Sequence, residues 1–564
     1  MASIFGIRAW WVIAIAVVMA LPILVVLGFV LQPFNENWQH LLDNLLPEYI
    51  TNSLLLMLGV SVGVLSMGVI CAWLTSSCEF PGRALLSWTL LLPLAIPAYI
   101  VAYTYTGLLD FSGPVQGQMR VWFDWGYGDY WFPEVRSLTG AICMLSLVLY
   151  PYVYMMSRAA FLEQSVSVLE ASRTLGYSPF SGFYSVALPL ARPAIITGLS
   201  LALMETLADY GTVQYFGIST FTTGIFKAWY GLDDSVTSAQ LASLLLTFVA
   251  VLILLERYSR REAKFHNLSS RDVNSQRFQL RGRKAFLATL ACSLPVIFGF
   301  IIPASQLLYW TITTADHTFD SGFLILASNS LMLATLSAFV AVCLALILSY
   351  SKRLLATPTV KSAVSVASMG YAIPGTVIAI GVLLPLGWVD DALDQWLIST
   401  FGISSGLLLS GTLFALIFAY TVRFLSVSIQ AVDAGLSKIK PSMDDAARSL
   451  GLTPFAVLKT IHFPLMRGTV ITALLLVFVD VLKELPATLI LRPFNFNTLA
   501  VRAYEMASDE RLADAGAPAL TIVLVGIIPV ILLSRSIANS AIKSPEGVKM
   551  RPFSSKLQKK AVAP

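Results

Sequence analysis

Charge is scarce in this chain. Asp, Glu, Lys and Arg make up 12% of its 564 residues, while 57% are hydrophobic; an average soluble domain is about 25% charged. So little polar surface cannot coat a globule of this size, which excludes a water-soluble domain and places the chain in a bilayer. Also missing is any match to G-x-x-x-x-G-K-[ST], so the chain offers no backbone cradle for the phosphates of ATP. The five cysteines have neither a disulfide framework nor a zinc spacing: Cys71, Cys143, Cys292 and Cys343 fall inside apolar stretches and Cys78 just beyond one. His40, His266, His317 and His462 are scattered without ligand spacing, and His462 is expected to be structural.

What is abundant is apolar sequence of membrane-crossing length. Stretches near 9–31, 54–74, 85–108, 138–158, 192–209 and 238–255, then near 285–308, 329–350, 363–387, 405–425, 467–488 and 516–535, predict twelve transmembrane helices; about 20 residues suffice for each crossing. The first stretch, Ala9 to Leu31, is uncharged and is followed by no clear small-residue cleavage site, so it is expected to be retained. Positive charge stays on the cytoplasmic side of a membrane protein. Residues 256–284 hold nine Lys or Arg against three acids, and 543–560 hold six against Glu546 alone. Loops 32–52, 309–328 and 388–404 have no Lys or Arg but carry Glu36, Asp43, Glu48, Asp316, Asp320, Asp390, Asp391 and Asp394. Both termini and the central linker are therefore expected in the cytoplasm.

Residues 170–189, EASRTLGYSPFSGFYSVALP, recur without a gap 275 positions later as 445–464, DAARSLGLTPFAVLKTIHFP. Seven positions are identical: Ala171 and Ala446, Arg173 and Arg448, Leu175 and Leu450, Gly176 and Gly451, Pro179 and Pro454, Phe180 and Phe455, Pro189 and Pro464. Glu170 and Asp445 keep the charge. The period is too long for a solenoid, so each half is a whole module. The expected fold is an all-α integral membrane protein of about twelve transmembrane helices, two parallel six-helix modules at 1–256 and 285–540. A basic linker at 257–284 and a basic tail at 541–564 complete it. Each module has an even number of crossings, which puts both copies of the polar segment, within 163–190 and 438–465, on the cytoplasmic face. Helix formers from Glu170 to Leu175, a stop at Gly176, a cap and start at Ser178-Pro179 and an end at Pro189 predict a helix, a turn and a second helix lying along the membrane.

These residues resemble the EAA motif of type I ATP-binding-cassette importer permeases, written EAA, three residues, Gly, nine residues, Ile, any residue, Leu-Pro. The chain offers Glu170, Ala171, Ser172, Gly176, Val186, Leu188 and Pro189, then Asp445, Ala446, Ala447, Gly451, Ile461, Phe463 and Pro464. It departs from the motif at Ser172, Val186, Asp445 and Phe463. The resemblance implies a pair of coupling helices that dock onto a dimeric cytoplasmic ATPase. ATP and Mg²⁺ would be held by that ATPase, and this chain would be a non-enzymatic permease subunit with no cofactor of its own. A solute-binding protein outside a bacterial inner membrane is the other expected partner, with lipid around the chain and no nucleic acid.

A narrower resemblance, to the fused two-module permeases of ferric iron uptake, is carried by ETLADYGTVQYFG at 205–217, FTTGIFKAWYG at 221–231, KELPATLILRPFNFNTLA at 483–500 and SDERLADAG at 508–516. Permeases for thiamine, phosphonates and other anions are built on similar modules, and a secondary transporter of two six-helix halves is a rival from another class.

Ionisable groups at membrane depth are costly and mark candidate pathways. The repeat superposes Glu205 on Asp480 and Asp209 on Glu484, and each pair, four residues apart, shares one helical face. With Tyr210 they supply the carboxylate and phenolate oxygens that a hard cation favours. Two readings stand: the acids line a path or form a transient low-affinity site, or Lys483 neutralises one acid while the rest meet water or backbone. The loop VWFDWGYGDYWF at 121–132 suits either the bilayer interface or contact with a binding protein. Ile96-Pro97 and Ile373-Pro374, in the third helix of each module, predict bends.

Overall fold

The computed structural model describes residues 2–126, 128–163, 179–261, 277–315 and 319–542. The fold is almost entirely helical. Ten helices among these residues are long and apolar enough to cross a membrane. In the first half they are Ala9–Leu31, Glu36–Ser77, Leu138–Leu162, Phe183–Ala208 and Ser235–Ser259; in the second, Arg283–Thr313, Ser321–Leu355, Gly375–Phe401, Leu413–Ser437 and Pro454–Leu482. Arg83–Ala95 and Ala98–Phe123 form an eleventh as a pair bent by 92°, and Gly516–Leu532 is a shorter apolar helix. These elements fall where the sequence places its twelve apolar stretches, and they are numbered below as spans one to six of each half.

The third span of the first half breaks at its expected proline, and that of the second half starts from the equivalent one. Ile96 and Ile373 are extended (ψ 123° and 130°), and Pro97 and Pro374 begin the helices Ala98–Leu109 and Gly375–Phe401. A proline disfavours the helical region for the residue before it, so the chain straightens for one residue and restarts.

The packing unit is not the six-span repeat. One apolar core gathers the first and sixth spans of the first half, from Val12 to Phe29 and Ala239 to Leu252, around spans two to five of the second half. The other gathers spans two to five of the first half around the first span of the second, from Ala285 to Trp310, and its sixth, from Ala515 to Val530. Each half thus lends its outer spans to the other half's core. Close backbone approach supports the exchange: a Cβ on Gly381 would come within 2.2 Å of the Pro22 carbonyl, and one on Gly526 within 2.7 Å of that of Ala95.

The end of the linker is tied to the first half. Cys78–Glu79 pairs in parallel with Phe278–Gln279, and Glu79 bridges Arg83 at 3.0 Å and Arg277 at 3.4 Å.

Candidate functional site

A cavity of about 120 Å³ lies where the two halves meet. Its lining includes all five sequence-predicted path residues, Glu205, Asp209, Tyr210, Asp480 and Glu484, so the fold brings together groups that are 275 residues apart in sequence. Lys483 and Arg423 also line it, with Tyr99, Tyr152 and Tyr371. Four carboxylates there face two cations.

Local geometry explains two of the acids. The fifth span of each half stops, and a short helix follows, Gly211–Tyr215 or Pro486–Leu491. The first amides of a helix have no partner within it. Asp209 Oδ1 accepts from the Thr212 and Val213 amides at 3.0 and 3.1 Å, and its Oδ2 from the Thr212 hydroxyl at 3.0 Å. Glu484 does the same one repeat later: Oε1 accepts from the Ala487 amide at 3.1 Å, and Oε2 from the Thr488 amide and hydroxyl, both at 3.1 Å. Glu484 has a further partner, Arg423, whose Nη1 lies 2.7 Å from Oε1 in a pair almost shut off from solvent. Gly375 makes room for it, because a Cβ there would stand 2.3 Å from Arg423 Nη1 and 2.4 Å from Glu484 Oε1.

Asp480 pairs with Lys483 at 2.9 Å, as the second of the two sequence readings has it. Glu205 has neither a hydrogen bond nor an ion pair among the described residues. Among those residues no three His, Cys, Asp or Glu side chains come together closely enough to hold a metal ion. The arrangement is therefore a charged lining rather than a chelate. Sequence reasoning missed Arg423, although a signal was present: it is the single charge inside the apolar span Leu413–Ser437 apart from Asp433 near the span's end.

The repeated polar segment is described in its second copy. Pro441–Ser449 is a helix carrying Asp445, Ala446 and Ala447. Gly451 ends it at φ +79°; its amide donates to the Arg448 carbonyl (2.9 Å) and that of Leu452 to Ala447 (3.1 Å). This is a Schellman closure, and the left-handed residue in it favours glycine. Thr453 caps the next short helix, Pro454–Val457. Asp445 and Ala446 are exposed and Ala447 is buried; Leu450 and Phe455, identical in both copies, are 81% and 73% exposed. In the first copy Glu170, Ala171, Ser172 and Gly176 lie outside the described residues.

One detail differs from the sequence expectation. Pro189 does not end the segment, and neither does Pro464: each occupies the first turn of the next helix, Leu188–Ala208 or Phe463–Leu482. Before each, the helix widens into a π turn, Phe183–Ala187 or Leu458–His462. A proline ring cannot accommodate regular bonding to the preceding turn, so the helix widens there and runs on into the span.

The second segment is fastened to its own half by a group without a counterpart in the repeat. Arg353, at the end of the second span, places Nε 2.8 Å from Asp444 Oδ2 and donates to the carbonyls of Leu436 (2.6 Å) and Ile439 (2.8 Å). Asp444 also bonds the fully buried His462, and the Tyr350 hydroxyl donates to the Pro454 carbonyl at 2.8 Å. Burial pushes the Asp444 carboxyl up, but the bonds from Arg353 and His462 outweigh it and hold it below the usual carboxylate range. His462 is thus structural, as expected.

In the aromatic loop, Phe123, Trp125 and Tyr130 stack in series at 4.6 and 5.3 Å, while Trp122 and Trp131 are exposed.

Residues 65–262 match the family model described as binding-protein-dependent transport system inner membrane component. The chain is 27% identical over 545 residues to the Fe(3+)-transport system permease protein FbpB 2 of Haemophilus influenzae, covering 93% of this chain and 98% of that relative. It is 30% identical over 209 residues to the molybdenum transport system permease protein ModB of Escherichia coli, covering 35% of this chain and 88% of the relative. A ferric transport system permease protein FbpB of Actinobacillus pleuropneumoniae is 22% identical over 421 residues, 71% of this chain and 58% of the relative.

Proposed function

The chain belongs to the family of binding-protein-dependent inner-membrane transport permeases, and from that premise we propose that it is the two-module permease subunit of an ATP-driven importer for ferric iron. The observation that carries the substrate class is the lining of the central cavity, where four carboxylates and four phenols face only two cationic groups, Arg423 and Lys483. A net negative lining lowers the energy of a cation and raises that of an oxyanion. The near full-length relative is named for Fe(3+) transport, and the ferric iron expected from the sequence agrees with it.

A cytoplasmic ATPase dimer docks on the two polar segments, with ATP and Mg²⁺ held by that ATPase. The exposed Leu450 and Phe455 beside the Schellman turn supply the apolar contact. A solute-binding protein delivers the ion on the opposite face, and both termini lie in the cytoplasm. Alternation between two states of the pore is tied to two states of the ATPase through the docked segments, which is what coupling between distant sites requires.

The deciding experiment co-purifies the chain with its ATPase and measures ATP hydrolysis stimulated by the loaded binding protein. Ferric iron is expected to stimulate. Stimulation by molybdate, sulfate, thiamine or a phosphonate, and not by ferric iron, overturns the substrate; uptake that continues without ATP overturns the coupling.

A further inference from the structure

A second cavity, of about 410 Å³, adjoins the central one and shares a single lining residue with it, Tyr210. Its walls include Tyr49, Tyr230, Gln214, Thr223 and Lys227 and contain no carboxylate. It is wide enough for a hydrated ion, since a water molecule takes about 30 Å³. The acids all lie on the other side of Tyr210.

Tyr210 is 9% exposed and its ring is clamped. It stacks on Phe226 with centroids 3.7 Å and planes 18° apart. Tyr504 lies 6.1 Å away and meets Tyr99 edge-on at 6.3 Å. Just after Tyr210 the backbone is hemmed in, because a Cβ on Gly211 would come 2.7 Å from Tyr99 Cβ and 3.0 Å from Leu485 Cδ2. Tyr210 and Phe226 belong to the first half of the chain and Tyr504 to the second, so the aromatic group straddles the seam between the halves.

We propose that the Tyr210 ring is the septum of the solute path: the larger chamber receives the ion from outside the membrane, and the ion reaches the carboxylates only when Tyr210 and Phe226 part from Tyr504. This rests on the permease function and orientation proposed above. A closed aromatic contact excludes a hydrated ion because crossing it strips more water than two phenol rings replace. With no carboxylate and with Lys227 as its one charged side chain, the chamber does not hold the ion, and the acids behind the septum supply the attraction.

The test uses the full chain in right-side-out membrane vesicles with Cys143→Ser, since Cys143 is exposed. Reporter thiols are introduced as Gln214→Cys in the larger chamber and Ala208→Cys in the central cavity, and a charged, membrane-impermeant methanethiosulfonate is added outside. Ala208→Cys is expected to react slowly with Tyr210 in place and about tenfold faster or more with Tyr210→Ala. Tyr210→Phe, which keeps the ring, is expected to leave it slow. Equal rates with Tyr210 and with Tyr210→Ala overturn the septum. Should Tyr210→Ala fail to accumulate, Phe226→Ala removes the stacking partner and is expected to give the same acceleration. Gln214→Cys is expected to react rapidly in every background. If it reacts only from the opposite face, the orientation has failed and not the septum, and the Ala208→Cys comparison run from that face still decides.

Discussion

Asp209 and Glu484 stand one repeat apart and cap equivalent short helices, yet only Glu484 meets a guanidinium. Glu205 and Asp480 are likewise equivalent, and only Asp480 has an ammonium beside it. The positions that match Arg423 and Lys483 in the first half are Val148 and Ala208, and both line the same cavity. The second half therefore contributes two acids and two bases, and the first half two acids and none. The excess negative charge of the cavity belongs wholly to the first half. Duplication produced two equal frames, and substitution within them left one half to attract and the other to brace.

That division can be broken most severely at Arg423. Arg423→Met leaves Glu484 charged and unpaired in a buried site, which costs about 3–5 kcal/mol, and the thermal stability of the purified protein is expected to fall accordingly. Arg423→Met with Glu484→Gln should recover most of it. If the double variant is no better than the single, the pair is not a brace.

The fastening of the polar segment sharpens the same contrast, because Arg353, Asp444 and His462 are matched in the repeat by Cys78, Leu169 and Ala187. Arg353→Met removes charge-assisted hydrogen bonds worth about 1.5–3 kcal/mol and is expected to lower the ratio of transport to ATP hydrolysis. Asp444→Asn should act in the same direction, with a pH signature. Because the folded Asp444 pKa is lowered, its contribution is complete above the unfolded value of about 3.9 and is lost as pH falls through the folded one. The stability gap between wild type and Asp444→Asn is therefore expected to close below about pH 4.

Glu205 and Asp480 compare the halves directly. Glu205→Gln removes an unpaired charge and is expected to slow uptake about tenfold, equivalent to about 1.4 kcal/mol. Asp480→Asn removes a charge already neutralised and should cost less. Equal losses in initial uptake rate would erase the asymmetry. The smallest effect is expected at the turn: Gly451→Ala places a side chain at φ +79° and costs about 1 kcal/mol. Gly176→Ala should match it in uptake if the first segment turns as the second does.

Much of this was legible before any coordinates. Hydropathy located the spans, and the register of the repeat paired Glu205 with Asp480 and Asp209 with Glu484. The glycine at 451 announced its turn. Arg423 is not paired to Glu484 by any local pattern, since 61 residues separate them, and its one sequence sign is a base inside an apolar span. Pro189 reads as a stop because proline usually ends a helix, whereas a π turn lets the helix continue there and equally at Pro464.

By itself the sequence determined that this chain lives in a membrane, that it is built twice over, and that a polar segment recurs at one place in each copy. These follow from composition and periodicity, which every residue carries with it. Only the tertiary structure decided that the outer spans change partners between the halves, that Arg423 rather than solvent answers Glu484, and that Tyr210 stands between two chambers. Such choices depend on which surfaces fit when hundreds of residues separate them, and local pattern holds no record of that fit.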